Sequence, residues 1–123
     1  MVNKKPFETQ KRNFKYLINK GENTKFGSDH FFQKIKNYTD FSDKIPVRNY
    51  EDLFPYIEEI RSGGENILWP GETKLFAKSS GTTNAKSKFI PLSKDALYNC
   101  HYKGGKDMLA LYLNNNIDSK MFN

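Results

Sequence analysis

The sequence predicts a mixed α/β chain made mostly of helices, and three observations predict it. Apolar residues recur at helical spacing over Pro6–Lys20, after Asn49 and after Ser93. Two short runs, Lys74 to Lys78 and Lys88 to Leu92, have the composition and alternation of strands. Between them lies a polar loop of small residues, Ser79 to Ser87. At 123 residues the chain has room for one domain or part of one. Its texture divides it into a helical part, 1–65, and a strand–loop–strand–helix part, 66–123.

Each element follows from local chemistry. Pro6 to Lys20 sets Phe7, Gln10, Phe14, Leu17 and Ile18 on one stripe, with Gly21 and Asn23 as stop signals. Ser28 or Asp29 is expected to cap a second short helix through Phe31, Phe32 and Ile35. Tyr38 to Pro46 reads as a polar, turn-rich connector. Asn49 caps the clearest helix, whose stripe is Tyr50, Leu53, Phe54, Ile57 and Ile60. Glu51 and Asp52 stand in the first turn, where the helix dipole favours acids. Pro55 either kinks this helix or opens it as a first residue, and Ser62-Gly63-Gly64 ends it. Asn66 to Gly71 is a turn with apolar shoulders. Pro91 places the second strand at an edge. Ser93 caps a final helix from Lys94 to about Leu113, striped by Leu97, His101, Gly104, Met108, Leu111 and Tyr112. Gly104-Gly105 inside it implies close approach of another element or a break.

Composition narrows the function classes. Hydrophobic residues are only 37%, so the core is thin, yet ten Phe and seven Tyr argue against a disordered chain. One Cys excludes an internal disulfide and a Cys-based zinc site. No apolar run approaches a membrane span, and Met1 to Pro6 lacks the apolar stretch of a signal peptide. A cytoplasmic location without membrane association is therefore expected. The net charge of +6 is uneven. Residues 1–25 and 71–123 are basic, and 26–70 is acidic. The lysines are scattered, so nucleic acid is not the expected partner.

The loop Ser79-Ser80-Gly81-Thr82-Thr83-Asn84-Ala85-Lys86-Ser87-Lys88 carries the chemistry. Its five hydroxyls, one Gly and two Lys combine the donors and charge that a phosphate needs. Ser80 to Ser87 nearly matches a Walker loop, but Ser80 and Ala85 replace both glycines. Phe89-Ile90-Pro91 follows where that motif requires a helix.

The string SSGTTNAKSKFIPLS resembles the first nucleotide-binding motif of the adenylate-forming superfamily. Its flanks are Asn66-Ile67-Leu68-Trp69-Pro70-Gly71 upstream and Cys100 to Asp107 downstream. With Thr24-Lys25-Phe26-Gly27 and Ile45 to Glu51, they resemble the bacterial branch of the auxin-responsive-promoter (Gretchen Hagen) family of acyl-acid amido synthetases. The resemblance implies that residues 1–123 are a single incomplete domain, the N-terminal part of the large domain of an adenylate-forming enzyme. It implies ATP and Mg as cofactors, Mg being held by parts outside this chain, with a carboxylic acid and an amine as the other substrates. The implied nucleotide-binding residues are Ser80, Gly81, Thr82 and Thr83 as a phosphate cradle, flanked by Ser79 and Lys88. Ala85 stands where relatives often have Gly, which bears on the loop's mobility. The adenine site, acyl pocket and mobile C-terminal domain are expected beyond Asn123, so the chain alone is expected to be inactive. The alternatives are a noncatalytic truncated remnant that binds a protein partner and a small basic nucleic-acid binder.

Other residues read as structural. Cys100-His101 has no metal or catalytic partner at ligand spacing, and His101 is expected in the core. His30 is expected at the surface, Trp69 as a packing plug, and Glu58-Glu59 as a solvated pair.

Overall fold

A computed structural model describes residues 5–79 and 87–121. Among them the chain is mostly helical with one two-stranded sheet, an arrangement compatible with the α/β class. Helix α1 (Pro6–Gly21) has Pro at its first position, where the missing N–H is harmless. Its stripe is buried only toward its C-terminal end. Ile18 is buried and Phe14 half-buried, whereas Phe7 and Leu17 are exposed.

The next two elements differ from the sequence expectation. Helix α2 (Lys25–Asp29) is capped by Thr24, not by Ser28 or Asp29. The Thr24 hydroxyl donates to the Gly21 carbonyl at 2.7 Å and accepts from the Gly27 N–H at 3.0 Å. Thr24 is 1% exposed. A Cβ on Gly27 would sit 2.0 Å from the Gly21 carbonyl oxygen, so only glycine lets the two turns approach this closely. The helix does not continue to Ile35. Phe31 adopts a left-handed φ of 53°, and a short 3-10 turn (Phe32–Lys34) follows. This reversal leaves Phe31 exposed and turns Phe32 inward.

Residues Tyr38–Lys44, expected as a connector, form helix α3. Asn37 caps it by accepting from the Asp40 N–H, and the Asp40 carboxylate accepts from the Lys36 N–H. The segment is helical despite its polar residues because Phe41 and Ile45 hold one face of it against the core. They join Phe14 and Phe26 around the buried cluster Ile18, Phe32 and Ile35. Phe14 and Phe41 meet edge to face at 5.8 Å.

His30, expected at the surface, is only 6% exposed. Its Nδ1 lies 2.8 Å from the Phe26 carbonyl and its Nε2 lies 2.9 Å from the Arg48 guanidinium. A carbonyl only accepts and a guanidinium only donates, so the pair selects the tautomer with hydrogen on Nδ1. The ring also stacks on Phe26 at 4.0 Å.

Helix α4 (Tyr50–Arg61) starts at Asn49 as expected. Asn49 and Asp52 form a reciprocal capping box, so the helix does not begin at Pro55, which lies inside it. Ile57 and Ile60 are buried. The turn after α4 is closed by Asn66. Its side chain accepts from the Gly71 N–H at 2.8 Å and its own N–H donates to the Gly71 carbonyl at 3.1 Å. Asn66 and Gly71 both have positive φ, which suits these residue types. From this turn, the Asn66 and Ile67 carbonyls accept the Lys25 and Phe26 N–H groups at 2.8 and 3.0 Å.

Strands β1 (Leu75–Lys78) and β2 (Phe89–Leu92) pair antiparallel, with Leu75 opposite Leu92 and Lys78 opposite Phe89. Ser93 then caps α5 (Lys94–Ala96). A π-helical segment (Leu97–Tyr102) runs directly into α6 (Lys103–Asn115). A π segment has more residues per turn, so a stripe drawn at α-helical spacing from Leu97 loses register. His101 is exposed rather than in the core. Gly104 and Gly105 sit inside α6 with open space about them among the described residues, so neither expected role is seen. Met108, Leu111 and Tyr112 are exposed. No helix among the described residues is long and apolar enough to cross a membrane.

Two stability outcomes follow. Thr24→Val removes the α2 cap and leaves a buried N–H unpaired. It should lower the unfolding free energy in urea by about 1–3 kcal/mol. The Tyr56 hydroxyl donates to Asp29 at 2.7 Å. Burial first, then the bond to the Asp29 carboxylate, raises its pKa above the ordinary value. The folded state therefore favours the protonated phenol. This contribution should be fully present below about pH 10 and fade as Tyr56 ionises at higher pH. Tyr56→Phe should remove that part of the alkaline loss in pH-dependent melting; an unchanged alkaline limb would contradict the assignment.

Candidate functional site

The candidate site is built where the hairpin opens toward the polar loop. Ser79 and Lys88 face each other one step beyond the last strand pair. The Ser79 N–H donates to the Lys88 carbonyl at 2.9 Å, and the Lys88 N–H donates to Ser79 Oγ at 3.0 Å. The two residues assigned as flanks are thus brought together as a neck. The Ser79 O–H hydrogen has no acceptor among the described residues. Ser80, Gly81, Thr82 and Thr83, the implied cradle, lie outside the described residues.

Helix α4 supports the neck from one side. The Tyr50 hydroxyl accepts from the Phe89 N–H at 3.0 Å and reaches the Phe89 carbonyl at 3.4 Å. The Lys88 ammonium lies 3.5 Å from a Glu51 carboxylate oxygen and 5.0 Å from the centre of the Tyr50 ring. At the far end of α4, the Arg61 guanidinium stacks 4.5 Å over the Phe89 ring while also pairing with Glu58. These groups, with Phe54 and Ser87, line an open cleft of about 670 Å³. Among the described residues the two cations at its rim, Lys88 and Arg61, already have carboxylate partners, so an incoming anion must compete for them.

A second cleft, about 390 Å³, lies between the 66–71 turn and the start of α5. Trp69 closes part of it by donating its indole N–H to Asp95 at 3.1 Å, which suits the expected packing role. Lys74, also on this cleft, has its pKa raised by its hydrogen bond to Glu72 and then by that residue's charge. Cys100 is exposed and His101 beside it is exposed too. Among the described residues no three His, Cys, Asp or Glu side chains gather as a metal site.

Sequence reasoning missed Tyr50, Glu51 and Arg61. By sequence Tyr50 falls on an apolar stripe and Glu51 among the dipole acids. No local signal distinguishes these roles, because the partner of Tyr50 is 39 residues away.

A short antiparallel hairpin with a hydrogen-bonded neck is thus buttressed by a capped helix. Residues 1–122 match the GH3 family N-terminal domain, and the chain belongs to that family. Three relatives show the range of similarity. An indole-3-acetic acid-amido synthetase, GH3.17 of Arabidopsis thaliana, is 36% identical over 64 residues, covering 50% of this chain and 10% of its own length. A probable indole-3-acetic acid-amido synthetase, GH3.7 of Oryza sativa subsp. japonica, is 33% identical over 60 residues, covering 46% and 10%. A jasmonoyl–L-amino acid synthetase, JAR4 of Nicotiana attenuata, is 34% identical over 58 residues, again covering 46% and 10%. The match spans about a tenth of the length of these curated relatives.

Ser79→Ala should loosen the neck. The loss of one hydrogen bond of ordinary strength is expected to speed amide exchange at Lys88 about five- to tenfold. An unchanged exchange rate would show that the Ser79 hydroxyl does not hold the loop.

Proposed function

We propose that this chain supplies the phosphate-binding loop of an ATP-dependent acyl-acid amido synthetase of the bacterial branch of its family. Membership in the family supports the reaction class. The observation that carries the loop assignment is the Ser79–Lys88 neck, which joins the ends of the Ser/Thr-Gly segment by two backbone-anchored hydrogen bonds. Such a neck suits a loop that must present several N–H and O–H donors to one anion.

In this reading a substrate carboxylate attacks the α-phosphorus of ATP, forming an acyl-adenylate and releasing pyrophosphate. An amine nitrogen, such as that of an amino acid, then attacks the acyl carbon and AMP leaves. Ser80, Gly81, Thr82 and Thr83 cradle the β- and γ-phosphates, and Ser79 and Lys88 flank them. Donors aimed at these oxygens reduce the repulsion between the triphosphate and the arriving carboxylate. Mg²⁺ supplies charge neutralisation when it accompanies ATP. The protein works in the cytoplasm.

Mg·ATP should slow amide exchange within residues 79–88 of this chain, and Gly81→Val should abolish that effect. Acid-dependent ATP–pyrophosphate exchange by the 123 residues alone should be absent. If Mg·ATP leaves the loop unprotected while RNA or DNA binds with a steep salt dependence, the reading gives way to that of a basic nucleic-acid binder.

A further inference from the structure

We infer that Tyr50 and Glu51, the first two residues of α4, are positioning residues for the phosphate loop. Tyr50 fixes the backbone at the loop's exit, and Glu51 holds the Lys88 ammonium until a phosphate competes for it. The inference rests on the phosphate-loop reading above.

The backbone pattern of the hairpin is the first ground. In an antiparallel pair, residues alternate between facing their partner with both backbone groups and turning both outward. Lys88 turns both backbone groups toward Ser79, its carbonyl accepting from the Ser79 N–H and its N–H donating to Ser79 Oγ, so the N–H and C=O of Phe89 point to the opposite edge. Among the described residues that edge has no third strand. The Tyr50 hydroxyl stands there instead and meets both groups, accepting from the N–H at 3.0 Å and lying 3.4 Å from the carbonyl. One side chain from a helix thus occupies the place of a neighbouring strand. It does so one residue from the neck. Arg61, stacked on the Phe89 ring, holds the same residue from the other end of α4.

The placement of Lys88 is the second ground. Its ammonium is 3.5 Å from Glu51 and 5.0 Å from the Tyr50 ring centre. Glu51 lies in the first turn of α4, whose dipole favours a carboxylate there independently of Lys88. The side chains of Glu51 and Lys88 are 70% and 45% exposed. A pair this exposed is weak, so a triphosphate can take the lysine from it. Glu51 thus restrains Lys88 near the loop without sequestering it.

The two roles are separable by Mg·ATP titration of the 123-residue chain with amide-exchange readout. Tyr50→Phe keeps the ring and removes the hydroxyl. It should speed exchange at Phe89 about fivefold or more and weaken Mg·ATP protection of residues 79–88. Glu51→Gln frees Lys88 and should tighten Mg·ATP binding about two- to fivefold. That gain should vanish when Lys88→Met is also present; a general change in surface charge would persist in the double variant. Phe89 exchange unchanged by Tyr50→Phe overturns the backbone role. A Glu51→Gln gain that is absent, or that survives Lys88→Met, overturns the lysine role. No protection of the wild-type loop by Mg·ATP overturns the parent reading and this inference together. Wild-type protection with unresponsive variants overturns this inference alone.

Discussion

Two backbone hydrogen bonds join the helical half of the chain to the segment that feeds the hairpin: Lys25 N–H to the Asn66 carbonyl and Phe26 N–H to the Ile67 carbonyl. They exist because the first N–H groups of a helix have no partner within it. Thr24 takes one such group with its own hydroxyl and leaves its neighbours to the Asn66 turn. The turn can offer its carbonyls because Asn66 and Gly71 close it on itself. Ile67 is buried as a result, and α2 and the 66–71 turn hold each other in place. The close packing of Gly21, Thr24 and Gly27 makes this junction intolerant of added bulk.

The remaining architecture hangs from that junction with little apolar burial. Among the described residues one small cluster, Ile18, Phe32 and Ile35, is walled by four partly buried residues, and Ile57, Ile60 and Ile67 are the other buried aliphatics. Polar contacts therefore do much of the positioning. Tyr56 reaches Asp29, Arg48 reaches His30, and Lys25 pairs with Glu59. The hairpin is attached in the same manner, through Tyr50 and the stacked Arg61 rather than through a broad apolar face. The loop end of the hairpin is thereby held by directional bonds near its neck.

Legibility from sequence tracked how local the deciding physics was. The α4 cap, the two strands and the Ser93 cap were readable because each depends on residues three or four apart, or on alternation within one run. Helix α3 was not readable, because its polar sequence is stabilised by Phe41 and Ile45 meeting Phe14 and the cluster beneath. His30 went from an expected surface residue to a buried one because Phe26 and Arg48 enclose it from different elements. His101 moved the other way: it is exposed, as are Met108, Leu111 and Tyr112 further along the expected stripe.

By itself the sequence determined the starts of α1, α4 and α5, the hairpin and the family, because caps, alternation and a contiguous motif are written in neighbouring residues. The loop's flanks were marked in the same motif. Only the tertiary structure decided that Ser79 and Lys88 bond to each other and that α4 carries the neck. It also decided that Lys88 shares its charge with Glu51. The link between Tyr50 and Phe89 spans 39 residues, and no periodicity or spacing reaches across such a gap. It arises only once the Asn66 turn has brought the hairpin back beside the helix that precedes it.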